Sequence, residues 1–107
     1  SMLAAMNPAL LPRILRRYSL SPSSAGLLVA LRSGARPMAD VQKALRISPR
    51  TLRHVRRNLA DRGLIHALRA PRAMGLSERT RLLALTNDGI ATLADFLDEV
   101  DDGMGVE

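Results

Sequence analysis

The chain has 107 residues, of which 47% are apolar and 24% charged, a balance typical of one folded domain rather than of a disordered segment. It contains no cysteine, which excludes disulfides, thiol catalysis and cysteine-based zinc sites and favours a cytoplasmic location. The formal net charge is +6, and no apolar run approaches the length that a membrane span needs.

The charge is unevenly distributed along the chain. Fifteen of the 16 basic residues are arginine, and Lys43 is the only lysine. Residues 1–39 carry +5 and residues 40–86 carry +8, whereas residues 87–107 carry −7. This asymmetry indicates a polyanionic partner, because the planar fork of arginine matches phosphates and guanine edges. The chain has only two aromatic residues, which favours duplex DNA over single strands whose bases stack on aromatic rings.

Helices are predicted throughout the first half of the chain. It begins with an N-terminal segment, residues 1–20, whose helix 12–18 has an arginine face and an apolar face and is a possible dimer contact. Two Ser-Pro pairs, at Ser21 and Ser48, mark helix starts, because serine caps a helix and proline fits its first turn. The helices that follow are predicted at 22–32, 39–45 and 49–62.

The second half is predicted to form a hairpin and then a helix. Gly63 ends helix 49–62, and two strands, 64–68 and 79–85, are joined by a loop over residues 71–78. The stripe of the last helix is predicted to be Ile90, Leu93, Leu97 and Val100. The chain is predicted to close with that helix at 87–100 and a frayed acidic tail at 101–107.

These elements predict a mainly α fold of the α+β class, a winged helix-turn-helix with about five helices and a two- or three-stranded β wing. Residues 21–100 would form that domain. On helix 49–62 the side chains of Leu52, Val55 and Leu59 share one face and are expected to anchor the helix to the core. The opposite face carries long guanidinium donors, which suit the major groove of DNA.

Three groups of residues are predicted to contact duplex DNA. The group expected to read bases is Arg50, Arg53, His54 and Arg57. The group expected to position phosphates is Arg36, Lys43, Ser48 and Thr51. The wing, residues 69–81, contributes Arg72, Arg79 and Arg81.

The segment SPRTLRHVRRNLADRGLI, residues 48–65, resembles the recognition helix and following strand of MarR-type winged-helix regulators. The matching positions are Thr51-Leu52, Val55, Leu59 and Gly63-Leu64-Ile65. Overall the similarity covers roughly residues 20–97. It implies a small regulator of transcription that acts by binding duplex DNA. Arg46 stands where the family commonly has a turn glycine.

The wing shows a second part of the resemblance. Ser77-Glu78-Arg79 is followed after five residues by Leu85-Thr86, which is similar to the end of the family's wing and the start of its next helix. The resemblance therefore implies that Arg79 reaches the minor groove. Ser77 replaces the aspartate that the family usually has there, and the terminal segments are shorter than the family's dimerisation helices.

A homodimer is expected, because a single winged helix reads few base pairs and a two-fold partner doubles the site. The interface is predicted on helices 12–18 and 87–100. Their apolar residues that exceed the needs of one small core are Leu15, Tyr18, Leu93 and Phe96.

Two other classes of function compete with DNA binding. A winged helix can instead be a protein-interaction module or assembly subunit without sequence-specific DNA binding, because fold does not fix function. Such a module would present an apolar or mixed-charge recognition face, whereas this face has several arginines and one acid, Asp61. An enzyme is disfavoured, since Asp61, His66 and the serines have no spacing that joins a nucleophile, a base and an orienting acid. The sequence therefore predicts no catalytic residue, no cofactor, no metal site and no membrane partner.

Overall fold

The computed structural model describes residues 10–76 and 80–105. Within them, helices and strands follow one another as α1 (Leu11–Arg17), α2 (Pro22–Ala30), β1 (Arg36–Pro37), α3 (Met38–Leu45), α4 (Pro49–Asp61), β2 (Ile65–Arg69), β3 (Arg81–Leu85) and α5 (Asn87–Gly105). One turn of 3-10 helix, Arg72–Met74, lies in the loop between β2 and β3. The predicted fold class, with five helices and a β wing, is confirmed.

Local signals set the ends of α2 and α4. The Ser21 hydroxyl accepts a hydrogen bond from the Ser24 N–H at 3.0 Å, and the Ser48 hydroxyl accepts one from the Thr51 N–H at 3.1 Å. Each serine thus satisfies one of the amide groups that a helix start leaves without a partner. At the other end of α4, Gly63 adopts a left-handed φ of 74°, and the Leu64 N–H donates back to the Leu59 carbonyl at 3.0 Å. This closes α4 with a Schellman motif, which requires a residue tolerant of positive φ.

The sheet has three antiparallel strands, with β3 between β1 and β2. Along the β2–β3 hairpin, Ile65 pairs with Leu85 at the body of the protein and Arg69 pairs with Arg81 toward the loop. The short stretch before α3 forms β1 by pairing Arg36 with Leu83. This pairing anchors β3 to the helical body.

The core lies where α2, α3, α4 and α5 meet. Its most deeply buried side chains include Leu27, Val41, Leu59 and Phe96, each fully shielded from solvent. At about 25 cal/mol per Å² of buried apolar surface, contacts of this kind supply most of the folding free energy. The inner stripes of the helices are therefore the main source of stability.

The predicted stripe of α5 was wrong at one position, because Ile90 is 54% exposed. The observed stripe is Gly89, Leu93, Phe96 and Val100, all buried. Gly89 sits so close to Leu64, the residue before β2, that a Cβ atom there would clash with the Leu64 carbonyl oxygen. Successive helical residues are about 100° apart, so Ile90 is turned away from this contact.

The first turn of α5 is bonded to the end of α4 and the residue before β2. The Thr86 N–H donates to the Leu64 carbonyl at 3.1 Å, and the Thr86 hydroxyl donates to the Gly63 carbonyl. The same hydroxyl accepts from the Gly89 N–H at 3.0 Å, which caps the helix. We call this set of contacts the Thr86–Gly89 junction. The helix then continues to Gly105, so its predicted end at Val100 and a frayed tail from residue 101 were wrong.

Helix α1 packs against α5 of the same chain. The rings of Tyr18 and Phe96 meet edge to face with centroids 5.8 Å apart, and Arg17 forms an ion pair with Glu99 at 2.7 Å. Burial raises the pKa of the Tyr18 phenol above its ordinary value of 10.0, and the charge of Glu99 raises this pKa further.

This packing corrects the predicted dimer interface. Leu15, Leu93 and Phe96 are 8%, 3% and 0% exposed within one chain. They belong to its core and are not surface left over for a partner. Tyr18 is half-buried against the same core.

Candidate nucleic-acid interface

Helix α4 is fixed to the core by one face. Leu52, Val55 and Leu59 are buried, as their helical spacing predicted. Preceding α4 is a short turn from α3 in which Arg46 takes the left-handed conformation and Ile47 packs against the core. The helix-turn-helix unit is thereby packed against the core of the domain.

The other face of α4 is cationic and open to solvent. The four residues predicted to read bases, at positions i, i+3, i+4 and i+7, share this face. All four side chains are exposed: Arg50, Arg53, His54 and Arg57. The structure therefore brings the predicted base-reading group together on one helical surface, which we call the guanidinium face.

The N-terminus of α4 adds hydrogen-bond donors to this surface. Besides accepting from the Thr51 N–H, the Ser48 hydroxyl donates to Thr51 Oγ1 at 3.0 Å. Because Thr51 Oγ1 accepts that bond, its own proton is available to an outside acceptor. Both residues thus serve first as the cap of α4, and they leave a hydroxyl donor at the positive end of the helix dipole.

Arg36 and Lys43 flank a shallow depression of about 330 Å³ beside α3, which Asp40 and Ala44 complete. Lys43 is exposed, whereas Arg36 is half-buried and its guanidinium donates to the Ala30 carbonyl at 3.4 Å. Lys43 is therefore open to an anion. Arg36 also braces the end of α2, a role that the sequence did not reveal.

The wing carries further cations. Arg72 and Arg81 are exposed, each already in contact with another group of the protein. Arg69, which was not among the predicted contacts, is exposed and lies directly across the hairpin from Arg81. Like charges at directly opposed positions destabilise a hairpin. Arg79 and the Ser77-Glu78-Arg79 match lie outside the described residues.

Several arginines are engaged by other groups of the chain or are partly buried. The Arg62 guanidinium donates to the backbone carbonyls of Tyr18 and Ser19 at 2.8 and 2.9 Å, which ties the end of α4 to the turn before α2. Arg17 is paired with Glu99, and Arg56 is half-buried. The net charge of the chain therefore overstates the number of cations that have no partner within the chain.

Within the described residues, the fold and surface define a winged helix-turn-helix protein. Its helix-turn-helix unit consists of α3 and α4, and the exposed face of α4 is cationic. No protein-family model and no curated protein sequence matches the chain. Solved structures do match it. The complex of Staphylococcus aureus MepR with DNA superimposes with a TM-score of 0.73 at 21% identity, covering 85% of this chain and 73% of that chain.

Two other solved structures agree. NadR in complex with 4-hydroxyphenylacetate gives a TM-score of 0.78 at 21% identity, covering 88% of this chain and 64% of that chain. A mutant of Lactococcus lactis ZitR gives a TM-score of 0.71 at 21% identity, covering 79% of this chain and 56% of that chain. The chain thus spans only part of the length of each protein. The superpositions confirm the MarR-like winged-helix fold.

The described part of the chain also bears on a membrane role. Among its helices, none combines the length and the apolar character that crossing a bilayer requires. Even α5, the longest, carries aspartate in its first turn.

Proposed function

We propose that this chain is a sequence-specific duplex-DNA-binding protein, a small transcription regulator acting in the cytoplasm without a catalytic step. One observation carries the proposal: an exposed guanidinium face on α4, anchored by buried Leu52, Val55 and Leu59, in a fold shared with the DNA-bound MepR. MepR itself is a transcription regulator of a multidrug efflux pump. An α-helix of this kind fits the major groove, which is wide enough to admit it.

In this proposal the side chains of the guanidinium face read base edges. An arginine in the major groove forms a bidentate pair with guanine O6 and N7, a contact that distinguishes guanine from the other bases. Arg53 and Arg57 lie one helical turn apart and near the middle of α4, so both are suited to base contacts. Lys43, Arg36, Ser48 and Thr51 then position the phosphate backbone, which sets register without reading sequence.

The wing is proposed to enter the minor groove beside the site that α4 reads. Negative potential is concentrated where that groove is narrow, and inserted arginine is favoured there. Arg72 lies within the loop that would enter and Arg81 directly follows it, and the MarR resemblance adds Arg79. The Arg79→Ala variant is therefore expected to weaken binding by about 1–3 kcal/mol and to blunt any A·T preference in the flanks.

The active form is proposed to be a homodimer formed through α1 and α5. The apolar residues between α1 and α5 are buried in the core of one chain. The interface would therefore use the outer surface of these helices, where Ile90 of α5 is exposed. A two-fold arrangement would present two copies of α4 to successive major grooves. Light scattering should then give a mass of twice the 11.6 kDa of one chain.

The first test is selection from a random pool of duplexes, followed by affinity measurements across salt concentrations. Five to eight phosphate contacts per dimer predict a slope of about −5 to −7 for log affinity against log salt. Arg53→Ala and Arg57→Ala should each weaken the selected site by about 1–3 kcal/mol and relax its sequence preference.

Lys43→Ala is the matched control, because it removes a cation from α3 and should weaken all duplexes alike. A flat salt response, or equal affinity for single strands, would contradict the proposal.

Exposed Leu68 and Met74 on the wing favour the second candidate, a protein-interaction module. That candidate gains if no duplex is enriched from the pool.

A further inference from the structure

The turn between α3 and α4 contains a strained residue that the proposed function does not yet use. Arg46 has φ 54° and ψ 42°, which is the left-handed region. In the described part of the chain, Ser19 is the other residue besides glycine with a positive φ. The Arg46 N–H donates to the Gln42 carbonyl at 3.0 Å, so the left-handed conformation of Arg46 closes α3.

The surrounding structure requires this conformation. Leu45 and Ile47, on either side of Arg46, both pack against the core, and Ser48 already caps α4. Only one residue is left to reverse the chain between two fixed neighbours, and it must turn left-handed. Glycine and asparagine accept that conformation readily, whereas other residues have a Cβ clash with the following carbonyl. Arginine is therefore a poor choice for the backbone.

The side chain at this position supplies what the backbone does not explain. Arg46 is exposed, and its guanidinium makes no hydrogen bond or ion pair with any residue that the structure describes. In the sequence, Arg46 lies between Lys43, three residues before it, and Pro49, the first residue of α4, three residues after it. In that first turn Pro49 has no N–H, and the Thr51 N–H already binds Ser48. The N–H of Arg50 has no acceptor within the helix, and an amide of this kind attracts anions.

We propose that Arg46 is a phosphate-contacting residue of the DNA interface, an inference that rests on the proposed function. Its guanidinium binds the DNA backbone next to the N-terminus of α4, where it fixes how deeply α4 enters the groove. Strain retained at an exposed cation is characteristic of a functional position, because a glycine would fold at least as well. Such a contact involves no base and strengthens every duplex equally.

The experiment compares variants that separate the charge from the backbone strain. Arg46→Gly and Arg46→Asn remove the charge and suit the left-handed conformation, whereas Arg46→Lys keeps both the charge and the strain. Arg32→Ala is the matched control, because it removes an exposed arginine from the cavity beside α5 that Leu97 and Asp98 also line. For each protein the Tm, the affinity for a mixed-sequence duplex and the salt slope are measured by thermal unfolding and fluorescence anisotropy.

We expect Arg46→Gly and Arg46→Asn to keep or raise the Tm and to lose about three- to tenfold in affinity for every duplex. Their salt slope should become shallower by about one, the signature of one lost phosphate contact. Arg46→Lys should stay within about twofold of the parent chain, and Arg32→Ala should leave the slope unchanged.

The contact would be refuted if both uncharged variants bound with the parent's affinity and slope while the parent bound duplex DNA. In that case the proposed function would stand and only the Arg46 inference would fall. If the parent bound no duplex DNA, both would fall together. A loss confined to the selected sequence would also overturn the inference, because it would make Arg46 a base contact.

Discussion

Helices α4 and α5 are both anchored by three buried apolar side chains, yet their outer faces carry opposite charge. The anchors of α4 are Leu52, Val55 and Leu59, and those of α5 are Leu93, Phe96 and Val100. Outside, α4 presents arginines, whereas the exposed acids of α5 are Asp88, Asp95, Asp98, Asp101 and Asp102.

The difference separates two tasks within one small domain. The inner faces determine whether the chain folds, and the outer faces determine which molecules approach each side. On a polyanion, the basic helix is attracted and the acidic helix is repelled, so the charge distribution also orients the protein. Changes to inner faces should therefore act on stability alike in both helices, while changes to outer faces should act on binding in only one.

The largest effect is expected from truncating one buried side chain on the inner face of each helix. Phe96→Ala should lower the free energy of unfolding by about 3–5 kcal/mol and Leu59→Ala by about 2–5 kcal/mol, since each leaves a cavity in a fully buried position. Urea unfolding followed by far-ultraviolet circular dichroism measures both. If one variant lost less than about 1 kcal/mol, its helix would not be anchored as the structure indicates.

The close approach of α5 to Leu64 should be sensitive to a single methyl group. Gly89→Ala is expected to cost about 1–3 kcal/mol, because the new Cβ would meet a backbone carbonyl that cannot move alone. Gly26→Ala is the control. Its Cβ would lie 3.1 Å from the flexible end of Leu45, and the better helix propensity of alanine offsets that crowding. Near-equal stabilities of the two variants would contradict the packing of α5.

The helix caps should differ in strength between the two helices. Ser48→Ala removes one cap from α4 and should cost about 1 kcal/mol. Thr86→Ala removes the cap of α5 and also the hydrogen bond to the Gly63 carbonyl, so it should cost about 1–2 kcal/mol. Thermal unfolding of the two variants under identical conditions gives the order. The reverse order would show that the Thr86 hydroxyl contributes little to holding α5.

The smallest effect concerns the pKa of Tyr18, the only tyrosine of the chain, which lies at the end of α1 near acidic residues of α5. Its phenolate absorbance should titrate above pH 10.0, because burial and then the carboxylate of Glu99 disfavour the ionised ring. The associated stability is present below pH 10 and is lost as the pH rises through the elevated pKa. Glu99→Gln should lower the pKa toward 10.0, and Asp95→Asn should lower it less. No change in Glu99→Gln would exclude this electrostatic coupling.

Much of the fold follows from short-range signals in the sequence. The Ser-Pro starts at Ser21 and Ser48 and the stop at Gly63 act within a few residues, so their structures were predictable. The course of α5 was not, because the placement of Ile90 depends on a contact between Gly89 and Leu64 that no local pattern reveals. The pairing of β1 with β3 is likewise a tertiary property.

The candidate interface divides in the same way. The guanidinium face of α4 follows from helical periodicity, and each of its members is exposed as expected. Helical periodicity cannot distinguish an arginine that is free to bind a ligand from one that already binds another part of the chain. Arg62 binds carbonyls 43 and 44 positions earlier in the chain, and Arg36 reaches the Ala30 carbonyl. Their partners are backbone atoms, which carry no residue-type signal.

The Thr86–Gly89 junction has a mechanical consequence for the proposed homodimer. Because α5 is bonded to the Gly63 and Leu64 carbonyls at the end of α4, it cannot rotate without carrying α4 with it. In the proposed homodimer, a partner chain bound to α5 would then be coupled directly to α4, with no flexible hinge between them. The distance between the two copies of α4 would be fixed by the dimer interface, so such a dimer would select DNA whose two half-sites have the matching spacing.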